Sequence, residues 1–287
     1  MLTDIKKFAD NSETLKELRI NVNDMSVLKE VGLYIVLYIV LMACMMISES
    51  LFLKIRVPDF NGLSLFSFIV VPILIYLFAT KIEKRSWRSI GFSKGNAIPQ
   101  TLKGLLIGFA MFLAVVIIGF LLGQFRFDGF DFSQPIYILP YLIGFFIQSF
   151  SEEIYTRGWT LTYFSKRHSV LIGILAANII FIIPHLGNNG IDLLSIINIF
   201  LCGTVFAVMF LGFDNIWLCG GAHTAWNFSQ GVLFGFNVSG FPMPSILKCS
   251  QIGQNIINGG SFGPESSLIT TFVLIITLIL VVYYVKR

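Results

Sequence analysis

Eight apolar stretches, each near bilayer length, divide this 287-residue chain. They run over roughly 31–53, 62–80, 100–123, 136–164, 169–185, 193–212, 214–236 and 267–285. A helix needs about 20 apolar residues to cross hydrocarbon, and inside hydrocarbon a backbone must satisfy its own hydrogen bonds. The pattern therefore predicts an all-α, polytopic membrane helical bundle of about eight transmembrane helices. Composition agrees. Only 13% of residues are charged, against about 25% in soluble domains. The 29 phenylalanines are lipid-facing and packing side chains and locate no site.

The basic residues set an orientation. With the N-terminus inside, inside loops hold Lys6, Lys7, Lys16, Arg19, Lys29, Lys81, Lys84, Arg85, Arg88, Lys94, Lys103, Lys166, Arg167, Lys286 and Arg287. Outside loops hold Lys54, Arg56, Arg126 and Lys248, and Arg157 falls within a span. Both termini are expected in the cytoplasm, which requires an even number of spans. Trp87, in the basic loop 81–99, suits the headgroup boundary.

Several function classes drop out. The net charge of +4 comes from loops flanking apolar spans, so nucleic acid is not an expected partner. Cys44, Cys202, Cys219 and Cys249 lack metal-ligand spacing, and the first three lie in apolar segments, where free cysteine behaves as a small hydrophobe. No cleavable signal peptide is evident. Residues 1–30 form a polar, amphipathic segment with Ile5, Phe8, Ala9, Leu15 and Leu18 at helical spacing. It reads as cytoplasmic or interfacial, ahead of a membrane domain over 31–287. Two polar turns, 125–135 and the Gly-rich 237–266, are read as loops. Glu49, near the end of the first span, reads as a solvated interfacial residue.

The fourth span contains Ser151–Glu152–Glu153–Ile154–Tyr155–Thr156–Arg157–Gly158. Three charges in six residues must be paired, solvated in a cavity or used, because a charge at bilayer depth costs at least a few kcal/mol (~3). Glu153 and Arg157 are four apart and share a helical face, so they can form an ion pair. Glu152 lies about 100° round the helix, where the same arginine does not easily reach. It is therefore the carboxylate expected to face a wet cavity. His185 and His223 are the two buried histidines of three in the chain, and His223 shares a face with Asn227.

A carboxylate, two imidazoles and an amide suit hydrolysis. The carboxylate can take a proton from water, and His or Asn donors can stabilise the oxyanion that follows. Glu with two His also suits a divalent metal such as zinc, but the H-E-x-x-H helix is absent and no cofactor is expected. No G-x-S-x-G elbow is present. Interhelical hydrogen-bonding glue and a proton-relay transporter are the rival readings; no internal repeat of the transporter kind supports the second.

Three motifs on separate spans carry a resemblance. Glu152–Glu153–Ile154–Tyr155–Thr156–Arg157 reads E-E-x-x-x-R, Phe181–Ile182–Ile183–Pro184–His185 reads F-x-x-x-H, and His223–Thr224–Ala225–Trp226–Asn227 reads H-x-x-x-N. In that order they resemble the CAAX prenyl endopeptidase and bacteriocin-processing (CPBP, Abi) family of intramembrane proteases, over a motif core at 136–236. The loop Gly259–Ser267 also resembles bacterial members. The resemblance implies an endopeptidase in which Glu152 is general base, aided by His185, with His223 and Asn227 as the oxyanion hole. Glu153, Arg157 and Phe181 would support the site. It implies a multi-pass protein of a bacterial cell membrane whose partners are the bilayer and a peptide or protein substrate. That substrate is a CAAX-type tail or a pheromone or bacteriocin precursor. A non-catalytic, peptide-binding immunity protein is the alternative.

One expectation about depth is awkward. With these boundaries Glu152 and His223 lie roughly 15–20 Å from the cytoplasmic ends of their spans, and His185 about 25 Å along its own. They meet only if the fifth span tilts or starts deeper.

Overall fold

The computed structural model describes residues 1–18, 26–58, 60–93 and 95–286. Arg19, Lys94 and Arg287, three of the residues counted toward orientation, lie outside them. The chain is an all-α membrane bundle. Two short helices, α1 (Leu2–Asn11) and α2 (Glu13–Glu17), precede the long α3 (Val27–Phe52). Next come α4 (Leu63–Ser67) and α5 (Val70–Leu77), which ends in a π turn at Phe78–Ile82, and then α6 (Ala97–Leu121). The fourth apolar stretch is one helical column in three parts: α7 (Ile138–Glu153), a π segment (Ile154–Leu161) and α8 (Thr162–Arg167). It is followed by α9 (Val170–Ile182) with a 3-10 extension (Ile183–Gly187) and α10 (Leu193–Phe213). The series closes with α11 (Ile216–Phe228), running into a π turn (Ser229–Leu233), and α12 (Leu268–Val285).

Six of these columns are long and apolar enough to cross a membrane: Val27–Phe52, Leu63–Ile82, Ala97–Leu121, Val170–Gly187, Leu193–Phe213 and Leu268–Val285. The remaining two expected spans are the columns that start with α7 and α11. Their α-helical parts have 16 and 13 residues. They carry the E-E-x-x-x-R and H-x-x-x-N motifs, and their polarity is the reason they read less like spans.

The burial pattern inverts that of a soluble protein. Leu33, Ile35, Val36, Ile39 and Val40 of α3 are exposed, as are Phe272, Ile279 and Leu280 of α12. Glu152, Glu153, Arg157, Asn178 and Asn198 are buried. Apolar groups can face lipid at no cost, while ionisable groups turn inward.

Hydrogen bonds among the described connectors fall into two sets. On one face Arg88 pairs with Asp214, Asn215 donates to Ser93 Oγ at 2.6 Å, and Lys286 meets Asp4 at 2.8 Å. On the other, Tyr137 donates to the Pro58 carbonyl at 2.6 Å, Ser266 to Asp192 at 2.5 Å, and the Ile252 amide to the Gln124 carbonyl at 2.8 Å. Both ends of the chain therefore share a face. The second face also carries a two-stranded antiparallel sheet, β1 (Phe125–Phe130) with β2 (Leu247–Gln251), bulged between Phe127 and Gly129. The sequence reading has loops there. Each strand is short and finds its partner some 120 residues away, so local pattern gives no sign of the pairing.

The N-terminal segment does not spread on the membrane surface. Ile5, Phe8 and Leu15 are buried in the main apolar core. Ser12 Oγ donates to Asp214 Oδ1 at 2.6 Å and the Thr14 amide to the same oxygen at 3.2 Å. The amphipathic stripe is covered by protein instead.

Candidate active site

The helix pair α6–α11 sets the position of His223. Gly104 and Gly108 of α6 lie against the α11 backbone, where an added Cβ would fall 2.1 Å from the Leu218 carbonyl oxygen and 1.9 Å from that of Ala222. No side chain fits in either gap. α11 also begins inside the bundle. Ile216, Leu218 and Cys219 are fully buried, and Asn215 caps the start by accepting from the Trp217 and Leu218 amides. His223, only two turns along, is therefore already deep.

The depth problem resolves through a boundary. The fourth column continues to Arg167 rather than ending near 164. Glu152 then lies 15 residues before that end, and His185 lies 15 residues after the start of α9 at Val170. At ~1.5 Å per residue both sit roughly 22 Å from the turn that joins them. No steep tilt is required.

Glu153 and Arg157 form the expected ion pair, Nη1 to Oε1 at 3.0 Å, both fully buried. The arginine's other terminal nitrogen donates to the Gly203 carbonyl at 3.0 Å. Its guanidinium lies 4.6 Å from the centre of the Phe181 ring, a cation–π contact. Phe181 in turn meets the rings of His185 and His223 edge-on, at 5.2 and 5.8 Å. The first residue of F-x-x-x-H thus ties the arginine to both histidines.

Two contacts go beyond the sequence reading. His223 Nδ1 lies 3.0 Å from Glu153 Oε1. A carboxylate that already pairs with arginine only accepts, so Nδ1 carries the hydrogen and Nε2 faces Glu152 Oε2 at 3.7 Å. Glu153 therefore holds Arg157 and His223 at once. The second contact is Gln148, one turn before Glu152. Its Nε2 donates to Glu152 Oε1 at 2.8 Å, and its Oε1 accepts from Asn227 Nδ2 at 3.1 Å. The only advance sign of Gln148 was a polar residue four before a motif glutamate on an apolar helix, which is weak.

Glu152, His185, His223 and Asn227 line one cavity of about 640 Å³, within the usual range for a ligand pocket. Glu152 is 6% exposed, and its Oε2 makes no hydrogen bond. His185 engages the Phe181 carbonyl through Nδ1 at 2.8 Å. Among the described residues no three His, Cys, Asp or Glu side chains converge as a metal-holding group.

Residues 134–229 match the family model described as type II CAAX prenyl endopeptidase Rce1-like. The chain belongs to that family. It is a family of proteases, and all seven motif residues fall inside the matched stretch, which is about a third of the chain. Comparison with curated proteins and with solved structures found no match.

Proposed function

We propose that this chain is an intramembrane endopeptidase in which Glu152 activates water. The observation that carries the reading is the free Oε2 of a buried carboxylate at the wall of a cavity. Gln148 fixes the other oxygen, so a water held near Oε2 meets an acceptor of fixed direction. Glu152 takes a proton from that water, helped by His185. The oxygen attacks the carbonyl carbon of the scissile bond. The oxyanion accepts from Asn227 Nδ2, whose second hydrogen is not used by Gln148, and from His223 Nε2 when that nitrogen is protonated. The cluster of two carboxylates and one guanidinium is neutral with one such proton. As the tetrahedral carbon collapses, the C–N bond breaks and the proton from Glu152 passes to the leaving amine. Glu153, Arg157 and Phe181 hold the parts in register.

General-base help of this kind contributes about 10²–10⁴-fold. Glu152→Gln should remove most of it while the purified protein keeps its elution profile and melting temperature. Turnover of a peptide substrate by the variant at the wild-type rate, read by mass, defeats the assignment. Resistance to a bacteriocin that survives in the Glu152→Ala, His223→Ala double variant would instead support the non-catalytic immunity reading.

A further inference from the structure

The charges that line the cavity are of one sign. Besides Glu152, its wall includes Glu49 of α3 and Glu265 of the connector before α12, and it includes no lysine or arginine. The sequence reading leaves Glu49 to solvent at the interface; here it faces the cavity. Among the described residues no ion pair reaches Glu49 or Glu265. Glu265 accepts only neutral donors, the Ser239 amide at 2.6 Å, the Ser239 hydroxyl at 2.9 Å and the Trp226 indole at 3.4 Å. Behind them Glu152, nine-tenths buried, presents an oxygen with no hydrogen bond.

The mouth is also placed. Asn61, Asn188, Ser239 and Pro242 line the cavity, and all lie in connectors of the face opposite the two termini. Glu49 is three residues from the end of α3 on that same side. The basic residues of that face are held elsewhere or stand off. Arg126 pairs with Asp128 and Lys248 with Asp131, and neither Lys54 nor Arg56 lines the cavity.

We propose that the site takes a peptide segment bearing Lys or Arg side chains, admitted from the face opposite the chain's termini. This rests on the protease reading and narrows its substrate class. A carboxylate brought into this cavity, as at a free peptide C-terminus, adds a negative charge to three already there. A cationic side chain gives Glu49 and Glu265 their missing partner, and the apolar wall from Val238, Phe241 and Met243 accommodates the flanking residues.

The experiment uses the full chain in phosphatidylcholine nanodiscs and three fluorescent peptides of one apolar frame. They carry a pair of Lys, a pair of Gln or a pair of Glu. Anisotropy should show the Lys peptide binding about tenfold or more tighter than the Glu peptide, with the gap closing at high salt. Glu49→Gln, which disturbs no hydrogen bond of that side chain, should narrow it about fivefold, one unit-charge contact in a wet site. Glu265→Gln is the second variant. Equal binding of all three peptides, tighter binding of the Glu form, or no binding at millimolar concentration overturns the proposal. Cleavage, followed by mass in the same samples, separates the two readings. Charge-selective binding without cleavage upholds this inference and defeats the protease. Equal cleavage of all three peptides does the reverse.

Discussion

The fourth helical column is gripped by two arginine–glutamate pairs, and they differ in what they leave open. Arg157 pairs with Glu153 at mid-column. Near the termini face Arg85 pairs with Glu83 at 3.4 Å, and its Nη2 donates to the Ser89 carbonyl at 2.6 Å, the Gly158 carbonyl at 3.2 Å and Thr162 Oγ1 at 2.7 Å. Burial pushes the Glu83 carboxyl up and holds the Arg85 guanidinium down, and the dense set of acceptors compensates. That cluster is closed: its acceptors belong to backbone and hydroxyl groups. The mid-column pair has a second carboxylate beside it, and a cavity beyond. The same buried ion pair makes a clamp in one place and the foundation of a reactive site in the other. The difference lies in the neighbouring glutamate.

Breaking each pair tests this. Arg157→Met leaves Glu153 charged and enclosed, with His223 as its one remaining partner of possible positive charge. Loss of one member of a buried pair costs about 3–5 kcal/mol, so the variant should melt far lower or fail to purify. Arg85→Met should cost about 3 kcal/mol, the lower end of that range. Glu83 retains 18% side-chain exposure and can turn toward water. The folded fraction of this variant should cleave substrate at the wild-type kcat. A loss of kcat matched to that of Glu152→Gln would show that the clamp belongs to the site after all. The finest test is Gln148→Ala. If Gln148 orients Glu152, kcat should fall roughly tenfold through misplacement of the base, with KM and melting temperature unchanged. A change in KM alone would assign Gln148 to substrate binding instead.

The sequence made the column boundaries and the motif pairings legible because each depends on local pattern. Apolar runs mark helices, and four-residue spacing puts Glu153 over Arg157. What stayed hidden depends on contacts distant in sequence. Arg85 reads as one more loop cation among Lys81, Lys84 and Arg88, yet it is 6% exposed, because α2, the 3-10 turn at Arg88–Ile90 and the fourth column close over it. Likewise the bond from Glu153 to His223 spans 70 residues. Glu153 in isolation looks fully occupied by Arg157, and only the recessed start of α11 brings an imidazole to the same oxygen. Glu49 was misjudged for the same reason. Its position three residues from a helix end says interface, and the cavity beside it is made by other columns.

Both motif columns change pitch directly after their motifs, at Ile154 and at Ser229. π segments of this kind are frequent at functional sites. The consequence concerns residue number rather than residue type. A π turn holds one residue more than the α turn it replaces. Loss of a single residue from Trp159–Leu161 would restore the α pitch and swing everything after it by about 100°. Glu152 and Glu153 would stay in place while Thr162 left Arg85, unlocking the clamp without touching a motif. Along this stretch the chain should accept many substitutions but no deletion. Its length is as much a part of the site as its glutamates.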